Sequence, residues 1–467
     1  MSEEQPIEKP TPSDRALPHA TEKKSLQQIG SIRGAAASRF PGPDQVILIK
    51  GRRGWANASG FRLEHNLSWG VGLLELANAG DFAANVWNDV PVPLFAAILM
   101  AFGGTLAGMI CIFAFADAVK AWHNVCFLRF QHKGIKAEKI RCFAVGQPSG
   151  QLAITETITW RELRMETINR WAMDILMGVG AVLISIGTFM AIGGANPEVW
   201  LASNILSGYL GNAPIALFGL INAVWQVEVW RVNQAHRTAA NKELQGSPCL
   251  QMIRRRCFDV QLYSIVNGSA AILGGVGSML TPTFWWGYVI LIPVIIFSFL
   301  SNIWYRKRVG YDRPHIDMKL KITTSELVDE FNRATGIRRT LNESPTAVLP
   351  LLVPQPQKLN DILDFLVDHG LFEAFCVNLV NEPSLAKSLV PATGDIRSRL
   401  QRDQLLELTV SQQSAAIQAA SDFLSKEGLE RFKHRERFLA DYLGDHLSAI
   451  CRAKKQRKRV MKSDNST

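Results

Sequence analysis

Two apolar runs, Leu262–Leu280 and Trp285–Ile303, stand four residues apart and contain no Asp, Glu, Lys, Arg or His. At 1.5 Å rise per residue each reaches roughly 30 Å as a helix, which is one hydrocarbon thickness. Such runs belong in lipid. The break Thr281-Pro282-Thr283-Phe284 is long enough only for a tight turn, and the second run ends in Tyr305-Arg306-Lys307-Arg308, which the positive-inside rule assigns to the cytoplasm. The pair therefore reads as a transmembrane hairpin with both ends on the inner side.

Three more segments are apolar over a spanning length: 93–118 and 172–195, each with a single acid near one end (Asp117 and Asp174), and 205–227, broken in character by Gly208, Gly211 and Pro214. A sixth, Leu67–Trp87, is long enough to cross but carries Glu75, Asn78, Asp81 and Asn85. On a helical wheel these four fall within an arc of about 120°, so they can share one face toward a bundle interior. A central acidic residue costs about 2.5–3.5 kcal/mol on insertion, which leaves an interfacial helix as the rival. The charge of the connections arbitrates. Loops 119–170 and 228–261 hold nine and six Lys/Arg, whereas 88–92, 196–204 and 281–284 hold none. With six spans the basic loops, Lys50 to Arg62 and both termini share the cytoplasmic side; with five, the first 90 or so residues must be translocated without a signal pattern. Six spans are preferred, making an all-α integral membrane protein, a polytopic helical bundle (six spans, or five) within 67–304.

Tryptophan agrees with this frame. Ten of the twelve, all but Trp55 and Trp160, lie at or near span ends, where the amphipathic indole settles among headgroups. Small residues recur at four-residue spacing, as in Gly104/Gly108, Ser264/Gly268 and Ala270/Gly274, and favour close packing within the bundle.

Outside the spans the chain is polar, which is why averages mislead: 47% hydrophobic residues and a mean hydropathy of +0.05 describe two unlike halves. Residues 1–45 read as a disordered tail, and 46–66 as a membrane-proximal segment in which the β-like run Gln45–Lys50 leads into a turn at Gly51-Arg52-Arg53-Gly54. Ile140–Val145 and Leu152–Ile158 suggest a β-hairpin in the 119–170 loop, able to pair with Gln45–Lys50. Residues 305–357, with Pro345, Pro350, Pro354 and Pro356, read as a linker. A small cytoplasmic helical C-terminal domain follows over 358–453, with helices at 361–369 (capped by Asn360), 371–381, 395–408, 411–426 and 428–453. The last of these places Leu429, Phe432, Leu439, Leu443, Leu447 and Ile450 on one stripe.

The formal charge of +10 points to anionic lipid headgroups rather than nucleic acid, because the excess sits beside apolar runs and in the basic tail 454–467. The candidate lipid-binding residues are Arg452, Lys454, Lys455, Arg457, Lys458, Arg459 and Lys462, each worth about 1 kcal/mol near an anionic surface. Seven cysteines show neither CxxC nor regular spacing, and no HExxH, GxSxG, Walker A or dinucleotide-binding signature occurs, so no metal, cofactor or enzymatic activity is expected. Asp117 and Asp174 are expected to pair locally, with Lys120 and Arg170. Two function classes remain. A membrane-anchored adaptor, binding a cytoplasmic protein through 358–453, needs only an anchor and a folded module. The alternative is a small transporter or channel, lined at best by Glu75, Asn78, Asp81 and Asn85 with Asn212, Asn222 and Asn267.

Overall fold

The computed structural model describes residues 44–51, 54–57, 92–147, 149–311, 323–344, 348–389 and 397–464. The segment 67–87, with Glu75, Asn78, Asp81 and Asn85, lies outside them, as does nearly all of the 1–45 tail. Among the described residues five helices are long and apolar enough to cross a membrane: α1 (Leu94–Ala144), α2 (Gly150–Ala191), α3 (Pro197–Glu243), α4 (Cys249–Leu280) and α5 (Trp286–Val309). They carry the five apolar runs read from the sequence, the run 172–195 ending in a turn beyond Ala191. The chain is a polytopic helical bundle with a helical C-terminal domain.

Large apolar side chains face outward along these helices. On α5 Ile292, Ile296, Leu300 and Ile303 are each more than half exposed, and their spacing of three and four residues makes one stripe. In water such a stripe would cost about 25 cal/mol per Å² of apolar surface, whereas in hydrocarbon it costs nothing. Between helices the contacts are close. A Cβ on Gly219 of α3 would lie 2.4 Å from the carbonyl oxygen of Ala271 on α4, and Ser185 Oγ donates to the Gly104 carbonyl at 2.7 Å. The small residues thus serve packing inside the bundle. Helix α3 starts at an Asn196-Pro197 cap, where Asn196 accepts from the Glu198 N–H, and is interrupted at Gly211-Asn212. Pro214 explains the interruption, having no N–H to donate and a ring that clashes with the preceding turn.

Beyond the apolar belt the helices continue, so the basic segments 119–170 and 228–261 are mostly helix. The expected β-hairpin is absent: Ile140–Val145 ends α1 and Leu152–Ile158 opens α2, with Gly146 at φ +71° in the turn. The buried set of α2 explains why. Leu152, Thr155, Thr159, Glu162 and Glu166 are buried and recur every three or four residues, a helical period disguised by its polar members, while Leu163 packs on Val125 and Leu128 of α1.

Strand β1 (Gln45–Gly51) pairs instead with β2 (Gly54–Asn57) on one side and β3 (Arg397–Gln401) on the other, both antiparallel. Val46 and Leu48 are buried while Ile47 faces the Arg399 register position. The helix expected over 395–408 is therefore a strand followed by one short helix. Asn381 completes the free side of β2, accepting from the Trp55 N–H at 2.9 Å and donating to its carbonyl at 2.9 Å.

The C-terminal domain is built from α6 (Thr324–Glu343), α7 (Val348–Leu352), α8 (Leu359–Asp368), α9 (Phe372–Val380), α10 (Pro383–Leu389), α11 (Arg402–Leu406), α12 (Val410–Phe423) and α13 (Leu429–Asp464). Helix α6 lies where the sequence suggested a linker. A capping box between Thr323 and Glu326 starts it, and Leu327, Phe331, Ala334 and Leu341 bury its inner face. Asn360 does not cap α8; its side chain bonds Asp364 and accepts from Arg402. One core runs through the whole domain and into the membrane helices. It joins Val46 and Leu48 of β1, Ala239 of α3, Ile253 and Cys257 of α4, and Phe331, Phe375, Phe423, Phe432 and Leu443.

Candidate functional site

Helix α13 fastens this domain to the bundle. Its Asp441 carboxylate accepts from Arg256 of α4, and Arg437 donates to the carbonyls of Arg306, Lys307 and Gly310 at the end of α5. Asp445, 5% exposed, accepts from Arg161 of α2 at 2.9 Å and contacts His236 Nε2 of α3 at 2.9 Å. Gly444 permits this approach, since a Cβ there would meet the His236 ring at 2.7 Å.

Where α2, α3 and α13 converge, the structure leaves a cleft of about 1120 Å³. Its floor is the Arg161–Asp445–His236 group. Trp160 and Arg164 line it from α2, with the guanidinium 5.3 Å from the indole centroid. Trp225, Trp230 and Arg231 line it from α3, and Arg452, Lys454, Lys455 and Lys458 from α13. Eight Lys/Arg against three Asp/Glu line the cleft in all, a formal excess of five. Of the acids, Asp445 is engaged as described and Glu243 is held by Lys454 at 2.7 Å.

Two donors are buried here without acceptors: the Trp225 indole N–H, in a residue 7% exposed, and the Ser448 hydroxyl, in one 8% exposed. A buried polar group left unpaired costs about 1–3 kcal/mol. Burial, with the Glu243 carboxylate beside it, pushes the Cys451 thiol up, so it stays protonated and is a poor nucleophile.

Burial alone would push the Asp445 carboxyl up; Arg161 and His236 outweigh it and hold it at about 2. A carboxyl depressed on folding stabilises above its unfolded value near 4, and that stability is lost as pH falls from there toward 2. Asp445→Asn is therefore expected to cost on the order of 2 kcal/mol at neutral pH, with a smaller gap to the native chain in acid. Melting in detergent across pH 2–7 checks this; a gap independent of pH would contradict it.

The seven basic tail residues do not act alike. Arg452, Lys454, Lys455 and Lys458 line the cleft, whereas Arg457, Arg459 and Lys462 lie on the same helix outside its lining. Residues 454–464 of the tail continue α13. Of the polar-path candidates, Asn212 donates to the Gly208 carbonyl within α3 and to Thr281 at the end of α4, and Asn222 accepts from Gln226 within α3. Asp117 pairs across helices with Arg170, at 3.1 Å, in place of Lys120. Arg161, Arg164, Trp225, Arg231 and Ser448 escaped the sequence reading, although a Trp-Arg pair recurs at 160–161 and 230–231, which hinted at a shared surface.

A smaller cavity of about 680 Å³ lies in the C-terminal domain against Asp361, Asp364, Asp368 and Arg333. Its His369 packs edge-on against Phe365 and Phe432, and burial, with Arg435 and Arg333 adding, pushes it down to about 3. That histidine is a neutral core residue at physiological pH. Among the described residues no three His, Cys, Asp or Glu side chains gather to hold a metal ion.

Fold and site together define a multi-pass α-helical membrane protein with a basic cleft at the junction of its bundle and its helical domain. No protein-family model matches the chain, and neither curated proteins nor solved structures give a significant match.

Proposed function

We propose that the chain is a membrane-anchored adaptor: its spans hold a folded helical module against the basic, cytoplasmic face of a bilayer, where the module meets anionic lipid and a protein partner. The observation that carries this reading is the single core shared by the module and the extensions of α3 and α4. A module on a flexible tether would bury its apolar residues among themselves; here Ile253 and Cys257 of α4 lie in one cluster with Phe331 and Leu443. Such a mount fixes which face of the module meets the lipid.

The full chain in sealed liposomes is expected to leave ion and small-solute flux at the level of protein-free vesicles. Paired spin labels on α4 and α9 should meanwhile give one narrow distance distribution. A saturable, chain-dependent flux would move the assignment to a transporter, and a broad distribution would remove the rigid mount.

A further inference from the structure

Three properties of the cleft between α2, α3 and α13 call for a ligand of one kind. Two of its three acids, Asp445 and Glu243, are engaged, so Glu228 alone faces a larger set of cations, of which Arg231, Lys455 and Lys458 have no carboxylate partner among the described residues. Two donors, Trp225 Nε1 and Ser448 Oγ, are buried there without acceptors. Its volume of about 1120 Å³ far exceeds one phosphate and lies just above the usual range of small-molecule sites. An acceptor-only polyanion satisfies the first two, since guanidinium, ammonium, indole N–H and hydroxyl all donate to phosphate oxygen. A phosphorylated ring satisfies the third.

The approach to the cleft selects the source of that phosphate. On α3 the residues just before it, Leu217, Leu220, Ile221, Val224 and Val227, are all exposed and apolar. Acyl chains lying on that face carry a headgroup directly to Trp225, Trp230 and Arg231, and the rim indoles suit the polar–apolar boundary. A soluble phosphate compound would make no use of the apolar face.

We infer that this cleft binds the phosphomonoester-bearing headgroup of an anionic membrane lipid, the cations and the two orphaned donors taking its oxygens while the acyl chains lie along α3. The inference deepens the adaptor reading by naming the lipid class that the mounted module would recognise.

The test uses the full chain in phosphatidylcholine nanodiscs, titrated with dioctanoyl phosphatidylinositol bisphosphate, dioctanoyl phosphatidylserine or free inositol trisphosphate, with thermophoresis as the readout. The bisphosphate lipid is expected to bind at least about tenfold more tightly than the serine lipid, because only its monoesters offer several charges to bidentate donors. Arg231→Gln combined with Lys455→Gln should weaken that binding about tenfold, and Trp225→Phe about threefold, since each removes donors aimed at the phosphates. Arg457→Gln with Arg459→Gln removes the same charge outside the cleft and should change affinity less than about twofold.

Equal affinity for the two lipids, or equal loss from the two double variants, would reduce the effect to unstructured charge and overturn the site. Inositol trisphosphate binding as tightly as the lipid would overturn the lipid assignment in favour of a soluble phosphate ligand. Should the cleft double variant fail to fold, Trp225→Phe and Lys458→Gln singly carry the comparison. Flux through sealed liposomes would sink the adaptor reading without touching these affinities, so the two failures are separable.

Discussion

Replacing Arg170 with leucine is expected to cost about 3–5 kcal/mol of bundle stability, because it strips a buried cation from carboxylates arranged around it. Arg170 is 5% exposed and sits in a wide π-helical turn of α2, Thr167–Ala172. Its guanidinium donates to both oxygens of Asp117 on α1 at 3.1 Å and to Glu166 at 2.9 Å. Glu166 is also held by Asn124 of α1 at 2.8 Å, and Asp174, 2% exposed, lies one turn further along α2. Without the cation, Glu166, Asp117 and Asp174 would be left crowded in a low-dielectric space where like charges repel strongly. Arg170→Lys keeps the charge but not the fork, so it should fall between the two. Thermal unfolding of the purified variants in detergent, followed by light scattering, gives the ranking. A leucine variant that melts with the native chain would show that the network contributes nothing.

Phe331→Ala carries the second large effect, about 3–5 kcal/mol, from the lost transfer energy of the ring and the cavity left behind. The side chain is 1% exposed on α6, in the core that also contains Ile253 and Cys257 of α4. Its location makes the outcome informative. In a loose linker the change would cost next to nothing, and in a module folding by itself it would loosen that module alone. With one shared core, hydrogen exchange should speed up in α8, α9 and α13 and also at the basic ends of α3 and α4, around Ala239 and Ile253. Faster exchange confined to 324–464 would mean that domain and bundle open independently.

These two variants mark the boundary of what could be read from the chain alone. The partners of Arg170 lie 4 and 53 residues away. Its local pairing with Glu166 has the ordinary helical spacing, but the two-pronged fork to Asp117 needs α1 and α2 side by side, and nothing in either segment announces that contact. Phe331 belongs to an amphipathic run that its own spacing could have revealed. The prolines and charges around it made the stretch resemble a connector, and only packing against α13 and α4 makes it core.

The spans were legible because their cause is local. Twenty or so consecutive apolar residues gain free energy from hydrocarbon roughly in proportion to their area, whichever helices lie beside them, and a single acidic or basic side chain alters that balance by several kcal/mol. Membership in a multi-pass bundle, the place of each of five spans, and the apolar stripe along α13 therefore follow from the order of residues. The sheet does not, since Val46 meets Leu400 across more than 350 residues and period-two alternation of five residues is a weak signal. Nor does the cleft. Its floor joins Arg161, His236 and Asp445 from three helices, and its positive charge arises only because α13 brings a basic last segment against α2 and α3. Charge and hydropathy add along the chain and can be counted there. A site made by convergence depends on distances between segments far apart in sequence, and these exist only once the shared core has closed.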